Sequence, residues 1–243
     1  MRLLISSDWH ADAKTLGHAR FSEVEEAVHQ TVQQAVDLKV DAYCFLGDLC
    51  DPDAGSSVFR SVELAVWAAT TLSRAGVTNI WIPGNHDVIE DGSGDTTLSP
   101  LRPIAKESEH VWLFEQPGTA TFDLHNTCVH ALPYTATSHP YDPEKVVDSI
   151  WAQGGVHVVL AHLSVEGVQP GEETKEMPRG RDVTFPRSKF TGDMNGVYLF
   201  NGHYHRRQTH KLPGFLPVHI PGSPARFTFG EQDNSPGCLL VEV

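Results

Sequence analysis

Three short runs of almost uninterrupted apolar residues, 2–7, 42–46 and 79–82, are separated by two stretches of helical periodicity, and each run stops abruptly at a polar turn. Between the first two, Phe21, Val24, Ala27, Val28, Val32 and Ala35 recur three and four residues apart over 21–38, the spacing that gathers apolar side chains on one helical face. Residues 58–75 repeat the pattern. A strand, helix, strand, helix, strand order predicts parallel strands joined by right-handed crossovers. In such a sheet the polar turns collect at the carboxyl ends of the strands.

From residue 111 the texture changes. Short β-like segments at 111–114, 119–124 and 127–132 are divided by Gly, Pro and Asn turns, as in strands joined by tight connections. A helix is expected over 143–153. Buried strands follow at 156–161, ending at His162, and at 196–200, ending at Gly202-His203, with further strands at 208–212, 216–220 and 237–243. The expected class is α/β with α+β character, two sheets packed face to face and helices outside. With 243 residues, 40% of them hydrophobic, one domain can bury such a core. Residues 90–100 and 163–186 read as polar loops.

Composition removes several function classes. No apolar run approaches a membrane span, and the amino-terminal run meets polar residues too soon for a signal peptide, so a soluble, cytoplasmic protein without membrane contact is expected. Cys44, Cys50, Cys128 and Cys238 form no CxxC pair, which predicts reduced thiols. A formal charge of −13 argues against a broad basic face that grips nucleic acid by charge alone, but leaves DNA open as a substrate, because two divalent ions would concentrate positive charge where phosphate sits. Basic residues do gather late, at Arg179, Arg181, Arg187, Lys189, Arg206, Arg207 and Arg226, as solvated surface or phosphate contacts. Gly-x-Ser-x-Gly, Walker and Gly-x-Gly-x-x-Gly patterns are absent, which argues against a covalent serine mechanism or a nucleotide-binding loop.

The polar turns carry the chemistry. In order they are Asp8-Trp9-His10, Gly47-Asp48-Leu49-Cys50-Asp51, Gly84-Asn85-His86-Asp87, His162 and Gly202-His203-Tyr204-His205. Two divalent ions about 4 Å apart need a shared anion and several further donors around them. Asp48 is the candidate bridge. Asp8 and His10, two apart and on one side of an extended strand end, would hold the first ion with His205. Asn85, His162 and His203 would complete the second, with Tyr204 turned elsewhere. Imidazole, carboxylate and amide donors without thiolate suit Mn²⁺, with Fe or Zn²⁺ as alternatives, and not a closed structural zinc site. Such a pair acidifies water and draws in phosphate oxygens, which points to phosphoester hydrolysis. His86, next to a candidate ligand, is the expected general acid. Asp87 would orient it or cap a turn, and Asp51 would support His86 or a ligand imidazole. The remaining histidines, among them His18, His29, His110 and His157, read as solvated or hydrogen-bonded.

As a set these residues resemble the calcineurin-like metallophosphoesterase superfamily, whose pattern is D-x-H, G-D-x-x-D, G-N-H-D, a lone histidine and G-H-x-H. The resemblance implies a four-layer αββα sandwich with a dinuclear centre. It carries metal roles to Asp8, His10, Asp48, Asn85, His162, His203 and His205, and the acid role to His86. The stretches 161–167, 202–208, Pro221-Gly222-Ser223-Pro224 and Phe229-Gly230-Glu231 are most similar to the SbcD-type nuclease branch, although Ala11-Asp12 stands where Leu-Gly is common. That branch implies DNA as substrate and admits a homodimer. Its members usually continue into a capping region and a segment that binds an SbcC-like coiled-coil ATPase, neither of which is expected within 243 residues. Two rival readings are a phosphodiesterase or phosphatase for nucleotides or other small phosphate compounds, and a noncatalytic interaction module on the same fold.

Overall fold

The computed structural model describes residues 1–50, 58–122, 125–150, 155–168, 183–192 and 194–243. The strands are β1 (Arg2–Ser6), β2 (Lys14–Thr15), β3 (His18–Ala19), β4 (Ala42–Leu46), β5 (Thr78–Ile82), β6 (Val111–Leu113), β7 (Gly118–Phe122), β8 (Thr127–Leu132), β9 (Val156–Ala161), β10 (Val197–Asn201), β11 (Gln208–His210), β12 (Val218–Ile220) and β13 (Leu239–Glu242). The α-helices are α1 (Phe21–Asp37), α2 (Val58–Arg74), α3 (Arg102–Glu107) and α4 (Pro143–Ile150).

One sheet has the order β13-β1-β4-β5-β6, and the second has the order β11-β12-β10-β9-β8-β7. β1, β4, β5 and β6 run parallel with β13 antiparallel at the edge. β8, β9, β10 and β12 are likewise parallel, flanked by antiparallel β7 and β11. Alternation along each strand divides the core. Leu3, Ile5, Cys44, Leu46, Ile80 and Ile82 meet Val129, Ala131, Val158, Leu160 and Phe200 between the sheets. Their neighbours Leu4, Tyr43, Phe45 and Trp81 pack outward on α1 and α2. Leu132, Val159, Ala161 and Leu199 pack outward from the second sheet with Val147 of α4. The outcome is helices, sheet, sheet and helix, the expected four layers.

The crossover helices form where periodicity placed them. α1 buries Phe21, Val24, Val28, Val32 and Ala35, and α2 buries Leu64, Ala65, Ala68, Ala69 and Leu72. Both end in the same left-handed stop. The Val40 N–H donates to the Ala35 carbonyl and the Val77 N–H to that of Leu72, with Lys39 and Gly76 at positive φ.

Sequence reading missed two elements, the β2–β3 hairpin and α3. The expected strand at 119–124 ends at Phe122, with 123–124 outside the described residues, and the expected helix at 143–153 is described through Ile150. The expected 163–186 loop is described at 163–168 and from 183. Cys44, Cys50, Cys128 and Cys238 are free thiols. Among the described residues no helix is long and apolar enough to cross a membrane.

Candidate metal centre

The parallel strands of both sheets end along one edge, and five loops leave there. The first two are laced together: the Asp8, His10 and Ala11 N–H groups donate to the carbonyls of Gly47, Asp48 and Leu49 at 2.9, 3.0 and 2.9 Å. His162 follows β9 and reaches across the sheet interface, its Nδ1 donating to the Leu46 carbonyl at 2.5 Å. Three glycines make that approach feasible. A Cβ at Gly47, Gly84 or Gly202 would come within 2.6, 2.6 and 2.8 Å of the His162 ring, closer than any side chain tolerates.

Two groups of donors result. Asp8, His10 and His205 converge, as do Asp48, His162 and His203, the ligand atoms of each group lying within 4.8 Å of one another. Asn85 joins the second group, its Oδ1 lying 2.9 Å from His203 Nδ1 and 3.1 Å from His162 Nε2. Asp48 stands between the groups, with Oδ2 3.2 Å from His162 Nε2 and 3.6 Å from His10 Nε2. All seven candidate ligands expected from the motifs are therefore brought together in the expected division. The local geometry differs from the expectation. Asp8 and His10 are not extended, since both have positive φ, as do Asp48 and His203. Asp and His tolerate this region better than most residues, but each such residue still costs on the order of 1–3 kcal/mol. Four of the seven described non-glycine residues at positive φ lie in this cluster, so the strain concentrates where the donors meet.

The electrostatics fit cations. Asp8 and His10 are buried, and Asp8 Oδ2 and His10 Nε2 have no hydrogen-bond partner among the described residues, an arrangement that burial makes costly unless a cation completes it. Burial pushes the Asp8 carboxyl up to about 6, against the opposing pull of His162. Burial and the neighbouring His205 hold the His10 imidazole well below its usual value. Burial, then His162, lowers His203 to about 3. At His162 burial works downward, but the Asp48 carboxylate outweighs it and raises the imidazole to about 9. Asp48 is held well below the carboxylate range by His162 and His86 despite its burial. Two carboxylates, an amide oxygen and four imidazoles suit a pair of divalent ions.

Around the donors are residues with other work. The His86 N–H donates to Asp48 Oδ1 at 2.9 Å, and its half-buried ring stands edge-on to His10 with centroids 5.0 Å apart. The Asp87 carboxylate accepts the N–H groups of Gly84, Asp48 and Leu49 at 2.9, 2.8 and 2.9 Å and the Thr97 hydroxyl at 2.5 Å. It ties the β4 and β5 loops together, which matches the turn-capping alternative. Asp51 lies outside the described residues. Tyr204 turns away, bonding through its hydroxyl to the Val165 backbone. Of the late basic residues, Lys189 pairs with Asp148, Arg226 donates to the Asn234 carbonyl, Arg187 is buried, and Arg206 and Arg207 are exposed; Arg179 and Arg181 lie outside the described residues.

Two polar side chains escaped the motif reading. Glu231 Oε1 accepts from His205 Nδ1 at 2.8 Å, and its Oε2 accepts from the Phe227 N–H at 2.6 Å. This bond protonates Nδ1 and leaves Nε2 to face the centre. Asn201 joins the loops after β9 and β10, donating to the Leu163 and Gly202 carbonyls at 2.9 and 2.7 Å. Neither has a spacing rule, and only the 229–231 motif hinted at Glu231.

Known proteins share this arrangement of elements. The SbcD component of the SbcCD nuclease of Bacillus subtilis (strain 168) is 23% identical over 271 residues, covering 100% of this chain and 66% of the relative. The protein of the same name from Escherichia coli (strain K12) is also 23% identical, covering 99% of this chain and 64% of the relative. The chain thus spans slightly under two thirds of the length of these curated relatives. Among solved structures, a dimetal phosphatase from Danio rerio superposes with a TM-score of 0.52 at 11% identity, covering 91% of this chain and 87% of that one, a likeness of fold. Residues 1–207 match the profile of the calcineurin-like phosphoesterases, a family that uses a dinuclear divalent metal centre. The chain belongs to that family and is a metal-dependent hydrolase of phosphoester bonds.

Proposed function

We propose that this chain is a single-domain phosphodiesterase that cleaves DNA with two divalent cations, Mn²⁺ ahead of Fe or Zn²⁺. The observation that carries the dinuclear reading is the place of Asp48 Oδ2 between His162 and His10. Asp8, His10 and His205 would hold one cation, and Asn85, His162 and His203 the other, with Asp48 available to both. When bound, the cations supply the positive charge that neutralises phosphate oxygens and acidifies water. Glu231 fixes the tautomer of His205, and Asp87 holds the β4 and β5 loops in register. His86, half-buried beside His10, gives a proton to the leaving oxygen. Asp51 would support His86 or a ligand imidazole through its carboxylate.

The case for DNA rests on the SbcD relatives, which are named as parts of a nuclease. The sequence resemblance, rather than the names of these relatives, is the ground for proposing a coiled-coil ATPase and a second copy of the chain as protein partners. The formal charge of −13 favours a second reading, a small nucleotide diester that needs no extended basic surface. Incubation with Mn²⁺ and linear DNA, beside cyclic nucleotides and nitrophenyl mono- and diesters, separates the two. Nicking or end degradation is expected; turnover of cyclic nucleotides with intact DNA would replace the DNA reading with the second.

A further inference from the structure

Two apolar side chains stand in solvent on loops fastened to the metal centre and to each other. Phe229 is 77% exposed and Leu16 is 81% exposed. Scattered exposed apolar residues need no explanation, but the anchoring of these two is specific. Phe229 opens the 3₁₀ turn Phe229–Glu231. That turn is closed at its base by the Phe227 N–H donating to Glu231, while Glu231 accepts from His205. The Phe227 ring packs beneath it, with its centroid 5.7 Å from that of His10 and 5.5 Å from that of His205. Phe229 thus projects from a turn whose other end is bonded to a candidate ligand.

Leu16 occupies the tip of the β2–β3 hairpin, where Thr15 faces His18 across the two-residue turn Leu16-Gly17. Both turn residues have positive φ, 48° and 81°, a position that favours Asn, Asp or Gly. A leucine there is both strained and exposed. The hairpin is joined to the Phe229 loop, since the Thr15 hydroxyl donates to the Phe227 carbonyl at 2.6 Å.

We infer that Phe229, supported by Leu16 on the neighbouring hairpin, is the surface on which an unpaired nucleobase beside the scissile phosphate stacks. This rests on the nuclease reading above. A net charge of −13 argues against a broad basic groove for a polynucleotide, so contacts that ignore charge gain weight beside the cations and the exposed Arg206 and Arg207. Base–aromatic stacking is such a contact and tolerates any sequence, and apolar side chains inserted beside bases hold them unstacked. The turn that carries Phe229 is bonded through Glu231 to His205, and its Phe227 ring packs on His10 and His205, so the aromatic belongs to the loop beside those two candidate ligands.

The test uses the full chain with Mn²⁺ and two single-stranded oligonucleotides of equal length, one with bases and one with an abasic tract around the cleaved positions. The readout is the ratio of kcat/KM on the two, with bound metal measured in parallel. Phe229→Ala is expected to reduce the wild-type preference for bases roughly tenfold, the scale of one lost stack, and Phe229→Trp to keep it. Leu16→Asn, which suits the turn and should fold at least as well, is expected to reduce it by about threefold. An unchanged ratio in Phe229→Ala overturns the inference while leaving the nuclease reading intact. So does an equal loss on both substrates, or a loss of bound metal, because the turn would then serve only the centre. Wild-type protein that leaves both oligonucleotides uncut removes the nuclease reading and this inference with it. An unchanged ratio accompanied by loss of self-association in Phe229→Ala assigns the surface to a second copy instead.

Discussion

The two halves of the metal centre reach the same type of donor set by different routes. In the half built from Asp48, His162 and His203, the protein satisfies its own charges: Asp48 and His162 sit 3.2 Å apart as an anion and a raised imidazole, and Leu46, Asn85 and His86 supply further bonds. In the half built from Asp8, His10 and His205, Asp8 Oδ2 and His10 Nε2 are left without a hydrogen bond among the described residues. Glu231, from near the end of the chain, buttresses that side through His205. One half meets its needs from within the protein, whereas the other leaves two buried polar atoms that a cation would complete.

The largest expected effect comes from removing the residue that belongs to both halves. Asp48→Asn should lower kcat/KM by at least about 10³-fold, the several kcal/mol attributed to metal-assisted charge stabilisation, and should reduce bound metal in both halves by elemental analysis. Retention of two metals would break the bridge assignment. His86→Ala should cost about 10²–10⁴-fold in turnover with metal content unchanged, measured on a diester with a poor leaving group. A good leaving group such as nitrophenolate should narrow the loss, because little protonation is then needed.

Glu231→Gln sharpens the difference between the halves. Losing the carboxylate behind His205 should weaken one cation by about 10–100-fold, so calorimetric titration should resolve one tight and one loosened site. Equal weakening of both would show that the halves are not separable. The smallest effect is a stability change that reverses with metal. In chelator at pH 8, Asp8→Asn should stabilise the protein by about 2 kcal/mol, because it removes a buried anion whose carboxyl is raised to about 6. A carboxyl raised on folding destabilises the fold above that value, so the gain should fade as pH falls through about 6 and Asp8 takes up a proton. With metal restored, the same substitution should be destabilising. Urea denaturation at pH 8 and at about pH 4, with and without Mn²⁺, reads all four cases.

Much of this centre was legible in the motifs because each donor directly follows an apolar strand. The strands β1, β4, β5, β9 and β10 are marked by their composition, and parallel order then places their carboxyl ends together. What the motifs did not carry is the backbone geometry that aims the donors. The i, i+2 spacing of Asp8 and His10 suggested an extended segment, yet both residues turn left-handed, since the loop is shaped by its bonds to Gly47, Asp48 and Leu49. For Asp87 the motif left two roles open, orienting His86 or capping a turn, and only the fold brings its carboxylate to three backbone N–H groups from two loops. Glu231 stood in a quoted motif, but nothing in its spacing tied it to His205. The hairpin at β2 and β3 has strands of two residues each, too short for any periodicity to register.

His162 is supplied by one sheet and donates to the Leu46 carbonyl of the other, with three glycines leaving just enough room for it. Neither layer alone can therefore grip a cation as the pair does. Cation binding should be lost in any variant that parts the two layers, even one that leaves every donor side chain in place.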